Sequence, residues 1–129
     1  MKPIYQTKFN TEGNCFAACI ASLFEIPLES LPNFCIEKDW PQNFEQWCID
    51  KNLRYLEMKY GLNMTPPQIY CIITGPSPRS PNLDHCVIGL GDKIVHDPHP
   101  DNTGLRGNKP FWHFGYFTIE DPSKLLNIS

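Results

Sequence analysis

The chain has 129 residues, of which 41% are hydrophobic and 19% are charged, and its formal net charge is -3. This length suits one domain, and the composition excludes a disordered chain. Because the net charge is negative and the sequence has no run of Lys or Arg, it offers no basic surface for nucleic acid. No apolar stretch reaches the ~20 residues that a membrane-spanning helix needs. We therefore expect one domain over residues 1–129, with no nucleic-acid and no membrane partner.

The cysteines and the first residues bear on the compartment and on metal binding. Residues 1–6 lack the apolar block of a secretory signal, so we expect a cytoplasmic protein with free thiols. No C-x-x-C pair is present, and Pro98 prevents His96 and His99 from sharing a helical face around Asp97. We therefore expect no metal and no cofactor. The six cysteines are Cys15, Cys19, Cys35, Cys48, Cys71 and Cys86.

The first predicted helix runs from about Asn14 to Glu25, after an extended lead-in over residues 1–13. Asn14 is a favourable N-cap residue, whose side chain can accept hydrogen bonds from free backbone N–H groups. The helix ends before Pro27, because the residue ahead of a proline disfavours the helical region. Only Ser22 is polar along the body of this helix. We therefore expect the rest of the domain to cover it on almost every side.

A second helix is predicted farther along the chain. Residues 28–34 are interrupted by prolines and predict one short helical turn. Pro41 then begins a helix that ends near Asn52, because proline is favoured in the first helical turn. Its buried stripe is formed by Phe44, Trp47 and Cys48, at helical spacing.

The second half of the chain predicts strands separated by loops. Residues 75–82 and 98–109 are loops, because they are rich in Pro, Gly, Asn and Asp. A hairpin turns around Gly91-Asp92. Helices followed by an antiparallel sheet predict an α+β domain. The predicted strands cover residues 53–58, 69–73, 85–90, 93–96 and 111–119.

Three residues in this pattern point to nucleophilic chemistry. Cys15 falls in the first turn of the first helix, where free N–H groups and the helix dipole favour a thiolate. A cysteine hydrolase also needs a histidine that accepts and returns a proton, and a third group that orients the imidazole. His85 opens a strand after a loop, and Asp97 lies on the returning strand of the hairpin. Asp84 is a rival for the orienting role, but neighbours on a strand point to opposite faces.

Each of these residues also has an ordinary structural interpretation. Cys15 fits a small buried cysteine on an apolar helix. His85, taken alone, fits a histidine at the end of a strand. The catalytic hypothesis therefore depends on whether the fold brings Cys15, His85 and Asp97 together.

The order of these motifs resembles the papain-like superfamily of cysteine peptidases. The similarity is greatest to compact bacterial and phage members of the kind represented by C39 leader-peptidase domains, and it covers roughly residues 6–100. A cysteine opens an apolar helix, a histidine opens a strand, and Asp97-Pro98 follows the next strand. The resemblance implies a papain-like α+β fold, in which a buried N-terminal helix carries the cysteine and packs on an antiparallel sheet. It also implies Cys15 as nucleophile, His85 as general base and acid, and Asp97 as orienting carboxylate.

The resemblance further implies an oxyanion hole. In the family, a glutamine a few residues before the cysteine acts together with the backbone N–H of the cysteine. Gln6 lies nine residues upstream of Cys15, which is wider than the usual spacing, and Asn10 is the alternative donor. We expect the remaining polar residues near the site to contact substrate, with the two histidines at its rim. These residues are Asn14, His96 and His99.

The expected activity is that of a thiol hydrolase or acyl transferase. Its substrate would be a peptide or a small acyl compound with an amide or peptide-type bond. The alternative is a catalytically silent papain-like binding module, such as a phage-encoded inhibitor or ligand-capturing protein. A depressed thiol pKa beside a well-directed His85 favours the enzyme. An occluded Cys15 favours the binding module.

The hairpin turn decides whether Asp97 can reach His85. With regular pairing, a two-residue turn at Gly91-Asp92 places His96 on the face of His85, whereas a three-residue turn places Asp97 there. We predict the three-residue turn, Gly91-Asp92-Lys93, in which Gly91 or Asp92 adopts a left-handed conformation and forms a bulge.

Overall fold

The structure is a computed structural model that describes residues 1–124 and residue 128. It contains two α-helices, α1 (Cys15–Phe24) and α2 (Trp40–Asp50), and one antiparallel sheet of five strands in the order β1-β5-β2-β3-β4. The predicted α+β class is therefore confirmed. The strands are β1 (Leu53–Met58), β2 (Tyr70–Pro76), β3 (Asp84–Leu90), β4 (Lys93–His96) and β5 (His113–Ile119).

Helix α1 is the buried helix that the sequence predicts. Residues 16–22 are all buried, and the helix packs against β3 and β2. It ends at Glu25, whose left-handed backbone (φ 56) lets its N–H donate to the carbonyl of Ala21. This left-handed C-cap stops the helix two residues ahead of Pro27.

Asn14 precedes α1 but does not cap it with its side chain, so that expectation is wrong. Its Oδ1 instead accepts hydrogen bonds from the backbone N–H groups of Thr7 and Lys8, at 3.0 and 2.9 Å. Its Nδ2 donates to the Thr7 hydroxyl at 3.0 Å. The buried amide therefore fastens the extended lead-in to the start of the helix, because those backbone N–H groups compete successfully for its oxygen.

Helix α2 and the segment before it build an aromatic cluster beside α1. The sequence predicts one helical turn between the helices, whereas the structure has two 3₁₀ turns, at Leu28–Ser30 and Phe34–Ile36. Phe44 of α2 packs edge-to-face against Phe16 and Phe34, with ring centroids 5.0 and 5.3 Å apart. This cluster closes one side of the space above the start of α1.

The sheet carries a core on each face. Ile72, Cys86 and Ile88 belong to the core on the helical side, whereas Ile73 and Val87 belong to the core on the other side. This alternation is the period of two expected for strands covered on both faces. Among the described residues, no helix has the length and apolar character that crossing a bilayer requires.

Strand β3 begins one residue earlier than predicted, at Asp84, and two other strands differ from the prediction by more. Strand β2 continues to Pro76, although Gly75 and Pro76 are predicted to lie in a loop. At Gly75, a Cβ would collide with the Trp112 indole, so the missing side chain lets that ring pack closely against the strand. Strand β5 begins at His113 instead of Phe111, because Lys109–Phe111 forms a 3₁₀ turn.

The hairpin of β3 and β4 corrects the predicted turn. Leu90 lies opposite Lys93, so the turn has two residues, and Gly91 has the left-handed φ of 63°. The three-residue turn is therefore wrong. The register shifts farther along, where Gly89 faces Ile94 but Ile88 faces His96.

The extra residue in this β-bulge is Val95. The bulge supplies the one-residue shift that the longer turn would have supplied, because two residues of one strand oppose one residue of the other. Asp97 therefore emerges on the same side as His85. The predicted position of Asp97, on the face of His85, is therefore produced by a bulge in β4 and not by a three-residue turn.

Candidate active site

His85 and Asp97 form a buried pair. His85 Nε2 lies 2.7 Å from Asp97 Oδ1, and the two side chains are 4% and 0% exposed. The Asp97 carboxylate also accepts the backbone N–H groups of His99 and Gly104, at 2.9 and 2.8 Å. Burial would raise the pKa of Asp97, but the hydrogen bonds from His85 and from these N–H groups lower it. Asp97 is therefore an ionised carboxylate, hydrogen-bonded by three groups.

The pairing with Asp97 also determines which atom of His85 remains for Cys15. Because Nε2 is occupied, Nδ1 is the ring nitrogen left to face the thiol. Burial would lower the pKa of His85, but hydrogen bonds with Asp97 and Cys15 raise it to about 9. The ring is therefore an imidazolium at neutral pH.

Cys15 stands at the first position of α1, half-buried. Its pKa is held well below the usual value, chiefly by hydrogen bonding with the Cys86 thiol. Burial opposes this shift, and the hydrogen bond and positive charge of His85 reinforce it. The arrangement favours a thiolate–imidazolium pair, which is the reactive form of a cysteine nucleophile.

Cys86 is a site residue that sequence reasoning missed. Hydrogen bonding with Cys15, together with burial, raises the pKa of Cys86, so this thiol stays protonated and its S–H donates a hydrogen bond to the Cys15 thiolate. Its sulfur also lies 3.4 Å from the hydroxyl of Thr74, its partner across β2 and β3. The available signal was a second cysteine directly after His85, but alternation along a strand predicts that the two side chains diverge.

The other four thiols provide a contrast within the same chain. Burial raises the pKa of Cys35 and Cys71 to about 11 and that of Cys48 to about 12. Burial also raises the pKa of Cys19, which lies one helical turn below Cys15. All six cysteines lie in the described part of the chain and are free thiols. The pKa of Cys15 is the one that is lowered.

Cys15, His85 and Cys86 open into one cavity of about 360 Å³. One wall is aromatic and comes from the helices and β1. The opposite wall is polar and comes from the lead-in, the loop between β2 and β3, and His99. This cavity gives the Cys15 sulfur a route to a bound molecule.

Both predicted oxyanion donors line this cavity. Gln6 is buried, and its Nε2 donates to the carbonyl of Lys8 at 2.9 Å, while its Oε1 is buried without a partner among the described residues. Asn10 is exposed and has a left-handed backbone, with φ 62°. The backbone N–H of Cys15 lies at the helix N-terminus, where it has no acceptor within the helix. The role of either side chain as oxyanion donor stays a prediction.

The predicted substrate contacts divide into two groups. His99 lines the cavity, with its ring centroid 6.2 Å from that of His85. His96 lies outside the cavity and is buried, and its Nε2 is hydrogen-bonded to the carbonyl of Ile4 at 2.8 Å. Asn14 lies in a separate surface depression, where the lead-in occupies its amide. The expectation of a rim position for His96 is wrong, because His96 pairs with Ile88 and successive strand residues point to opposite faces, so His96 lies on the face opposite to His85 and Asp97.

The positions of the His, Cys, Asp and Glu side chains bear on metal binding. Over residues 1–124 and 128, no group of three or more His, Cys, Asp or Glu side chains is arranged to hold a metal ion. His96, Asp97 and His99 have separate partners: the Ile4 carbonyl, the His85 ring and the backbone N–H of Asp101.

Comparison with known proteins gave no assignment. No protein-family model matches the chain, and no curated protein and no solved structure was found to be similar to it. The function must therefore be argued from the site.

Proposed function

We propose that this chain is a papain-like thiol hydrolase or acyl transferase that acts on an amide or peptide-type bond. Cys15 is the nucleophile, His85 the general acid and base, and Asp97 the orienting carboxylate. The observation that carries the proposal is the buried 2.7 Å contact between His85 and Asp97, beside a thiol at a helix N-terminus. A structural histidine at a strand end needs neither the carboxylate nor the cysteine.

The proposed reaction has two steps. The Cys15 thiolate attacks the carbonyl carbon, and the π electron pair of the carbonyl moves onto its oxygen. The backbone N–H of Cys15 and the amide of Gln6 or Asn10 donate to this oxyanion. As the C–N bond breaks, the His85 imidazolium gives its proton to the leaving amine. Water or a second amine then attacks the acyl-enzyme and transfers a proton to His85 as the thiolate leaves.

The papain-like architecture is part of this proposal. Its support is the chain order, with the cysteine on a buried helix, the histidine on β3 and the aspartate after β4, together with the packing of α1 on β3. Catalysis by this arrangement requires that Cys15 become acylated.

Acyl-enzyme formation tests the proposal directly. The protein is mixed with an activated acyl ester and with fluorogenic peptide amides, and intact mass is followed over time. We expect a single acyl adduct on Cys15 in the wild type, absence of that adduct in Cys15→Ala, and its retention in Cys35→Ala. Cys35 is a matched control, because it lines the same cavity but has a pKa near 11. An adduct that persists in Cys15→Ala contradicts the proposal.

A catalytically silent binding module is the second candidate. It is favoured by the hydrogen bond from the Gln6 amide nitrogen to the Lys8 carbonyl, because this bond makes one of the two Gln6 N–H groups unavailable to an oxyanion. If the chain is a binding module, we expect rapid alkylation of Cys15 without turnover of any ester or amide. If it is an enzyme, we expect rapid alkylation of Cys15 together with turnover.

A further inference from the structure

The aromatic wall of the cavity begins at the residue that follows the nucleophile. Phe16 packs edge-to-face with Trp40, Phe44 and Tyr55, at centroid distances of 6.3, 5.0 and 5.9 Å. All four rings line the cavity that Cys15 opens into. A group bound next to Cys15 therefore lies beside aromatic rings, which pack well against aliphatic stems and attract cations.

The same wall ends in a carboxylate. Glu57 lies two residues beyond Tyr55 on β1, lines the cavity, and has a side chain that is 52% exposed. Its ion-pair neighbour is the His113 ring at 3.7 Å, and no Lys or Arg of the described residues pairs with it. The carboxylate is thus accessible to a cation.

The positive charges in the cavity are already compensated. His85 is paired with the Asp97 carboxylate at 2.7 Å. Arg79 lines the polar wall, but its Nη1 donates to both oxygens of Asp101 at 2.9 and 3.1 Å, and to the Thr103 hydroxyl at 2.6 Å. Asp84, on the same wall, adds a second exposed carboxylate. The charge balance of the cavity therefore favours a positively charged ligand.

One buried oxygen without a partner supports a ligand that brings a hydrogen-bond donor. Gln6 is 7% exposed, and because its nitrogen is bound to the Lys8 carbonyl, the atom left without a partner among the described residues is the oxygen Oε1. A buried acceptor is costly unless a donor reaches it, and a ligand N–H supplies one.

We propose that this site takes acyl donors with a basic side chain, whose aliphatic stem lies along the aromatic wall and whose cationic head reaches Glu57. This inference rests on the proposed function. A volume of about 360 Å³ accommodates one long side chain better than an extended peptide. Lysine-like and arginine-like acyl groups are the chemical class that matches the aromatic wall, the carboxylate and the unpartnered acceptor.

The test compares two affinity labels that differ only in charge. Lysyl and norleucyl chloromethyl ketones have similar stems, and each alkylates Cys15 when the thiolate forms a C–S bond and chloride leaves. The alkylation rate is followed by intact mass at low salt. We expect the lysyl reagent to react about tenfold faster in the wild type. Glu57→Gln should lower this ratio severalfold by slowing the lysyl reagent, because it removes the carboxylate and leaves the aromatic wall, and Glu57→Asp should give an intermediate ratio.

Glu37→Gln is the matched control, because Glu37 is exposed and lies outside the cavity lining. Its rate ratio should equal that of the wild type. Equal rates for the two reagents, a faster norleucyl reagent, or an unchanged ratio in Glu57→Gln overturns the basic-side-chain inference. A preserved lysyl preference without turnover of any lysyl amide supports the subsite and overturns the proposed hydrolase.

Discussion

His85 and Asp97 are joined across 2.7 Å in side chains that are almost completely buried. Water screens such a pair weakly, so the charge of each residue acts strongly on the ionisation of the other. The Asp97 carboxylate is itself held by two backbone N–H groups. The protonation of His85, and with it the proposed chemistry, therefore depends on Asp97.

Replacing that carboxylate should lower the pKa of His85. In Asp97→Asn, burial continues to disfavour the imidazolium while the stabilising charge is lost. We expect the His85 pKa to fall from about 9 by about 1–3 pH units, measured by NMR titration of the imidazole nitrogens. Asp101→Asn, which removes a carboxylate beside His99, should leave the His85 pKa near its original value. An unchanged His85 pKa in Asp97→Asn would contradict the orienting role.

Removing the second thiol should raise the pKa of Cys15. Cys86→Ala deletes the donor that contributes most to the low pKa of Cys15, so the thiolate forms at higher pH. Cys86→Ser keeps a hydroxyl donor and should retain part of the effect. The measurement is the pH dependence of iodoacetamide alkylation at Cys15, with Cys48→Ala as a buried-thiol control. If Cys86→Ala and the wild type give the same curve, Cys86 does not hold the thiolate.

The pH profile of turnover should be bell-shaped. The acidic limb follows formation of the Cys15 thiolate, whose pKa lies well below 9.0. The alkaline limb follows loss of the His85 proton, which the leaving amine needs, near pH 9. Turnover should therefore rise as the Cys15 thiolate forms, at a pH well below that of an ordinary thiol, and decline through about pH 9. In Asp97→Asn the alkaline limb should move to lower pH. If the limb does not move, it reports the titration of a group other than His85.

Asn14 should contribute to stability through the lead-in. Asn14→Ala leaves the backbone N–H groups of Thr7 and Lys8 without their acceptor. Thr7 and Lys8 are exposed and both hydrogen bonds are part-buried, so water reaches the freed N–H groups. A typical hydrogen bond contributes about 0.5–1.5 kcal/mol, so we expect a loss of about 1–2 kcal/mol in the free energy of unfolding, measured in urea. Asn14→Asp retains the acceptor and should lose less. Equal stability of Asn14→Ala and the wild type would exclude this role.

The hairpin turn should depend on Gly91. Its left-handed φ of 63° disfavours any residue with a Cβ, so Gly91→Ala should destabilise the fold by about 1–2 kcal/mol. Gly61→Ala is the matched control, because a Cβ there would meet only ordinary contacts near 4.0 Å. Thermal unfolding of both variants provides the comparison. A neutral Gly91→Ala would indicate that the turn adopts another conformation.

The elements of this fold were predictable because their causes are local. The apolar run after Asn14 and the proline at position 27 determine where α1 begins and ends. Alternating and β-branched residues similarly determine β1 and the β3–β4 hairpin. Cys15 at a helix N-terminus and His85 near the start of a strand follow from these elements alone.

Tertiary structure decided what these residues contact. Asn14 binds the lead-in and His96 binds the carbonyl of Ile4, which lies 92 positions earlier, so local pattern could not indicate either partner. Cys86 meets Cys15 because α1 packs on β3, a contact between distant segments. The register at Asp97 depends on a bulge at Val95, whose sequence carries no turn signal. Sequence determines the local conformation of each element, whereas long-range packing and pairing set the geometry of the site.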